Sequence, residues 1–193
     1  APTTAHWTAA KRILRYVKRT LSVGWTFSKS SSTLVSAFSD FDWAGCLDDR
    51  RSTSGYCVFV GGNLVSWRSK KQPVVSKSTA EAEYRAISQG LSEMLWVRGL
   101  LLELKVLRQD PLNVWCDNKS AISIANNPVQ HDRTKHVEID KFFIKEKLDA
   151  GIIKITHVSS GQQVADCLTK GLGTRESNLA CDKMGMIDIY HPS

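Results

Sequence analysis

Four acidic side chains in an otherwise basic chain have the types and spacing for metal-ion chemistry: Asp40, Glu83, Asp117 and Asp166. They stand in Ser39-Asp40-Phe41-Asp42-Trp43-Ala44-Gly45, Ala80-Glu81-Ala82-Glu83-Tyr84, Trp115-Cys116-Asp117-Asn118 and Val164-Ala165-Asp166-Cys167-Leu168-Thr169-Lys170. Carboxylates gathered at one place repel and raise one another's pKa, so such a cluster makes physical sense with bound cations. Hard oxygen donors suit Mg²⁺. Two Mg²⁺ ions held about 4 Å apart activate a water and stabilise the leaving oxygen of a phosphodiester. Surrounded by positive charge, the cluster points to metal-dependent chemistry on a polyanion.

Each acid alone has a plainer explanation. Asp40 ends an expected strand, where an Asp also opens loops, and Asp42 would share its face if the strand continued. Asp117-Asn118 ahead of a helix is equally a capping signal. Asp166 falls in an early helical turn, where an acid complements the helix dipole. Glu83 competes with Glu81: at about 100° per residue, Glu83 lies roughly 65° from the centre of its helix's apolar stripe and Glu81 roughly 95° on the other side. The sequence leaves both the Asp40/Asp42 and the Glu83/Glu81 choices open.

The elements that must position these acids follow from periodicity. Ala5 to Arg19 reads as a helix, with Trp7, Ala10, Leu14 and Val17 at helical spacing. Ser28 to Thr33 is a loop or linker. Strands are expected over Leu34 to Asp40, Gly55 to Val60 and Leu64 to Trp67, the last two joined by the hairpin signal Gly61-Gly62-Asn63. Ser78 to Leu104 is the long helix, with Ser78 or Thr79 as N-cap. Leu112 to Cys116 is a strand, followed by helices from near Asn118 and over Thr134 to Leu148. A strand over Ile152 to Val158, a helix over Gln162 to Leu172 and a short helix over Glu176 to Met184 complete the chain. Three hairpin-linked strands followed by alternating helices and strands imply an α/β fold with a mixed sheet covered by helices.

Composition narrows the class. The 193 residues fit one large domain, or one plus a small appendage, and 42% hydrophobic content suffices for a core. The most apolar stretch, Leu95 to Leu104, is broken by Arg98 and Glu103, so no membrane partner is expected. The formal charge of +7 favours phosphate partners. Five scattered cysteines without a C-x-x-C pair argue against a zinc site or disulfide framework and for a reducing compartment. With Ala1 in place of an initiator Met, the chain is expected to be an excised or processed piece of a longer protein.

The residues around the acids resemble a known family, the ribonuclease H domain of copia-type LTR retrotransposon polyproteins, most like those of plants. The similarity is carried by Ser39 to Gly45, Asp48-Asp49-Arg50-Arg51-Ser52-Thr53-Ser54-Gly55-Tyr56, Val65-Ser66-Trp67-Arg68-Ser69-Lys70-Lys71-Gln72-Pro73 and Ser78 to Tyr84. It continues through Cys116-Asp117-Asn118-Lys119-Ser120-Ala121, Arg133-Thr134-Lys135-His136-Val137-Glu138-Ile139-Asp140 and Val164 to Lys170. The resemblance implies a ribonuclease H fold, a five-stranded mixed sheet with helices on both sides. It implies endonucleolytic cleavage of the RNA strand of an RNA/DNA hybrid during reverse transcription. It also implies two Mg²⁺ ions, replaceable by Mn²⁺, held by Asp40, Glu83, Asp117 and Asp166, with Asp40 bridging both. His157 is similar to the mobile-loop histidine that serves proton transfer or product release, although a His there is also an ordinary polar strand end.

Substrate contacts are expected to follow. A hybrid carries 2′-hydroxyls on one strand only, and Ser39, Gln72 and Asn118 are candidates to read them. Arg50, Arg51, Arg68, Lys70, Lys71 and Lys77 gather around the hairpin and the start of the long helix, suited to phosphate or simply to solvent. His131, Arg133, Lys135 and His136 form a second basic stretch. Residues 1–30 resemble the tether to a reverse transcriptase polymerase domain, the expected partner beside the hybrid. The nuclease domain is expected over 31–173 and a C-terminal helix and tail over 174–193, acting in cytoplasmic virus-like particles. A hybrid-binding or polymerase-supporting module is the alternative. A transposase or integrase of the same fold would place its acids in the order Asp, Asp, Glu, whereas here Glu83 comes second.

Overall fold

The computed structural model describes residues 1–30, 32–106, 111–126 and 138–190. In chain order the elements are α1 (Thr4–Arg19), β1 (Val23–Trp25), β2 (Val35–Asp42), β3 (Thr53–Val60), β4 (Asn63–Lys71) and α2 (Thr79–Glu103). They continue with β5 (Leu112–Cys116), α3 (Lys119–Asn126), α4 (Glu138–Asp149), β6 (Ile153–His157), α5 (Thr174–Lys183) and β7 (Met186–Asp188). Five strands form a mixed sheet in the order β4-β3-β2-β5-β6. The β2-β3-β4 meander is antiparallel, while β2-β5 and β5-β6 are parallel. Gly61 and Gly62 both take positive φ (56° and 85°) and close the β3-β4 hairpin, a turn that an L side chain strains to adopt.

One face of the sheet carries the main core. Val35, Ala37, Val58, Leu112, Val114, Ile153 and Ile155 pack there against Tyr84, Ile87, Leu91 and Met94 of α2 and Ile144 of α4. Ser78 caps α2, accepting from the Glu81 amide. On the opposite face Cys57, Phe59 and Leu64 meet Val164, with Phe38, Leu168 and Met184 against them. Phe38 stands edge-on to Phe59 and stacks on Trp115, with ring centres 5.7 and 6.0 Å apart.

Three results differ from the sequence expectation. β2 runs on to Asp42 and β4 to Lys71, since strand pairing holds residues that periodicity alone leaves as loop. The helix expected over Gln162 to Leu172 is instead two 3₁₀ turns, Ser160–Gln162 and Val164–Leu168. Gln163 between them is extended, and its buried side chain donates to the Ser39 carbonyl and accepts from the Ala165 amide. That anchorage breaks the helix. The third difference is the two-stranded ribbon β1-β7, which joins the first thirty residues to the C-terminal segment and sets Trp25 against Trp67, ring centres 4.3 Å apart and planes tilted by 39°.

Candidate active site

Parallel pairing of β2 with β5 sets the site. The register pairs Ser36 with Asn113 and Phe38 with Trp115, and the same offset carried forward brings Asp117 level with Asp40. Both acids therefore emerge at the carboxyl ends of adjacent parallel strands, where open α/β sheets form their crevices. Asp166 arrives from the second 3₁₀ turn, which lies directly on the strand next to Asp40. Gly55 faces Asp40 across the β2-β3 pair, and a Cβ on Gly55 would stand 2.8 Å from Leu168 Cβ and Thr169 Cγ2. Oxygens of Asp40, Asp117 and Asp166 all lie within 4.8 Å of one another.

The chain holds each of the three. Thr169 Oγ1 donates to Asp40 Oδ2. Ser160 Oγ donates to Asp117 Oδ2 at 3.0 Å. Lys170 Nζ lies 2.7 Å from Asp166 Oδ1 and 3.8 Å from Asp40 Oδ2. Burial pushes the Asp40 carboxyl up to about 7; the negative charge of Asp166 adds to this, while the Thr169 hydrogen bond and the Lys170 charge oppose it.

Glu83 has no accessible surface and stands near Asp40 and Asp117, outside the group whose oxygens meet. The Cys116 thiol donates to its Oε1 at 3.1 Å, and its Oε2 has no partner among the described residues. Burial raises the Glu83 carboxyl to about 8, with the charges of Asp40 and Asp117 adding and the Cys116 hydrogen bond opposing. Glu81 is committed elsewhere: its carboxylate pairs with Arg85 at 2.7 Å and accepts from the Lys77 amide at 2.8 Å. Asp42 likewise turns into the loop after β2, where its carboxylate fills the space a Cβ on Gly45 would need. Of the two open pairs, the geometry puts Asp40 in the three-acid group and leaves Glu83, outside that group, close enough to feel the charges of Asp40 and Asp117. Hard oxygen donors in this number, one of them buried and unsatisfied, fit a divalent cation.

The remaining expected residues divide. His157 ends β6, paired in register with Cys116, its side chain exposed. Arg50, Arg68, Lys70 and Lys77 are exposed. Arg51 pairs with Asp49 at 2.7 Å, and Lys71 reaches Asp49 at 3.3 Å, so those two charges are locally engaged. Asn118 Oδ1 accepts from the Ala121 amide and caps α3. Gln72 and Ser39 require correction. Gln72 is fully buried, donating to Ser54 and to the Ala82 carbonyl and accepting from Ser76, so it braces the start of α2 and presents nothing to a groove. Ser39 is buried too, because its strand position faces Gly90 of α2. His131, Arg133, Lys135 and His136 lie outside the described residues. Thr169, Lys170, Ser160 and Cys116 were missed as site residues; the first two follow Asp166 in the same motif, and their polarity inside an otherwise apolar turn was the available signal.

No protein-family model matches the chain. It is 41% identical over 188 residues to the retrovirus-related Pol polyprotein from transposon RE2 of Arabidopsis thaliana, covering 97% of this chain and 13% of that protein. To the Pol polyprotein from transposon TNT 1-94 of Nicotiana tabacum it is 37% identical over 185 residues, 96% of this chain and 14% of the relative. Over nearly its whole length the chain is similar to one region of plant retrotransposon Pol polyproteins. It spans only 13% to 14% of the length of these relatives. LC11-RNase H1, isolated from compost, has the same fold: TM-score 0.55 at 15% identity, covering 78% of this chain and 97% of that one. A second structure of that protein is a complex with an RNA/DNA hybrid. On this ribonuclease H-like fold Asp40 lies in a strand, Asp117 just past one, Glu83 on α2 and Asp166 in the second 3₁₀ turn.

Proposed function

We propose that the chain is an endoribonuclease that cleaves the RNA strand of RNA/DNA hybrids during reverse transcription of a retrotransposon. The observation that carries this reading is the convergence of Asp40, Asp117 and Asp166 oxygens within 4.8 Å, with buried Glu83 beside them. Asp40, Glu83, Asp117 and Asp166 would hold two Mg²⁺ ions, which supply an activated water and charge stabilisation for the leaving oxygen. The protein's share is positional. Thr169 and Ser160 fix Asp40 and Asp117 before substrate arrives, and the Cys116 thiol fixes one oxygen of Glu83, leaving Oε2 without a hydrogen-bond partner among the described residues. His157, exposed at the end of β6 and paired in register with Cys116, would serve proton transfer or product release. Arg50, Arg68, Lys70 and Lys77 offer exposed cations to the phosphates, and the Asn118 amide is the group near Asp117 able to meet a 2′-hydroxyl.

The test is cleavage of a labelled hybrid in Mg²⁺ or Mn²⁺ against EDTA. Asp117→Asn is expected to lower the rate by at least about a hundredfold. Undiminished cleavage by that variant would sink the metal assignment.

A second reading, a hybrid-binding or polymerase-supporting module, is favoured by one feature. None of the residues of α1 is buried, and Trp7, Ile13, Leu14 and Val17 expose 62%, 64%, 64% and 48% of their surface. Relatives carry this region within a far longer Pol chain, so the polymerase domain of a parent polyprotein is the occupant proposed for that stripe. Tight, salt-sensitive hybrid binding without cleavage in Mg²⁺ would select this reading over the first.

A further inference from the structure

The segment that delivers Asp166 also delivers a cation. Lys170 follows Asp166 by four positions, and its ammonium lies 2.7 Å from Asp166 Oδ1 and 3.8 Å from Asp40 Oδ2. Those two acids belong to the trio whose oxygens can share one ion. An oxygen bound to an ammonium at 2.7 Å is not free for a metal, and a positive charge so near repels an incoming divalent ion. The pairing is also reversible. The Lys170 side chain keeps 45% of its surface in water, and a lysine on a flexible four-carbon stem can swing outward at little cost. Thr169, by contrast, is buried and directed at Asp40, so the backbone of this turn is held while the lysine is not.

We propose that Lys170 is a tethered counter-cation that competes with divalent metal for Asp166 and Asp40. It thereby sets the metal affinity of the site and leaves the acids for solvent when metal binds. The proposal rests on the assignment of these acids as metal ligands, and concerns a residue that holds them rather than one that ligates.

Mn²⁺ binding followed by electron paramagnetic resonance, without nucleic acid, tests it. Lys170→Gln is expected to bind Mn²⁺ about tenfold more tightly than the unaltered chain, and Lys170→Arg, which keeps the charge, within about threefold of it. A Gln variant that binds within twofold of the unaltered chain, or more weakly, overturns the proposal while leaving the metal site standing. A second measurement needs no variant. Acylation of Lys170, read by mass spectrometry against the exposed Lys119, should rise when the unaltered chain is saturated with Mg²⁺; unchanged or lowered labelling overturns the proposal. If the unaltered chain binds no Mn²⁺ at millimolar concentration, the metal assignment itself fails and the proposal falls with it.

Discussion

Glu83 places an ionisable carboxyl where water does not reach, with one oxygen unmet by any described donor. Such a group is tolerated either protonated or facing a cation. Its raised pKa, about 8 against an ordinary 4.5, has a defined consequence for stability. Between those pH values the native state keeps a proton that the unfolded chain has released, so stability falls as pH rises through the window. In EDTA, thermal unfolding of the unaltered chain should show a melting temperature that declines between about pH 5 and pH 8. Glu83→Gln should flatten that decline, leaving only the share of Asp40, whose carboxyl is raised to about 7. Added Mg²⁺ takes the place of the proton, so its stabilising effect should grow with pH over the same range. Equal pH slopes for the two proteins would show that Glu83 is not the group responsible.

At the scale of elements, the site depends on how closely the second 3₁₀ turn lies on β3. Gly55 has no side chain because Leu168 and Thr169 occupy the space, whereas Gly99 of α2 has nothing within 4 Å of an added Cβ. The two glycines therefore make opposed predictions. Gly55→Ala should cost about 1–3 kcal/mol and weaken Mn²⁺ binding, because the turn carrying Asp166 must shift. Gly99→Ala should stabilise by up to about 1 kcal/mol through helix propensity and leave metal binding alone. Urea denaturation of both variants checks this, and a neutral Gly55→Ala would mean that the turn yields freely. These elements also mark the reach of the sequence. The hairpin glycines, the alternating strands and the long amphipathic helix announce themselves locally. The 3₁₀ turns do not, since what breaks the helix is Gln163 bonding to Ser39, far away in the chain.

Across the whole molecule, the five-stranded domain packs a buried apolar core, whereas no residue of the N-terminal helix is buried. The face of α1 bearing Arg12, Arg15 and Arg19 lines a cavity with α5 and the β1-β7 ribbon, which leaves the apolar stripe turned to solvent. Because none of these side chains is buried, Ile13→Glu with Leu14→Glu should change the stability of the chain by no more than about 0.5 kcal/mol. The same pair should abolish association with a polymerase domain if that domain covers the stripe. A large loss of stability in the isolated chain would instead place α1 in the domain's own packing. The five expected strands share one mixed sheet, and the ribbon was illegible because three-residue strands carry too little periodicity to stand out.

The sequence by itself determined the sheet and its helices, because strand alternation, helical spacing, the Gly61-Gly62 turn and the Ser78 cap are each written within a few residues. It also placed an acid near the edge of each of four elements. Whether those acids meet was decided only in three dimensions. Parallel pairing of β2 with β5 brought Asp117 level with Asp40, and the ion pair of Glu81 with Arg85 left Glu83 as the acid of α2 turned toward Asp40 and Asp117. The same folding withdrew Gln72 and Ser39 from any groove and laid Lys170 against Asp166 and Asp40. Register, burial and the packing of a turn on a strand are relations between distant residues. No window along the chain contains them.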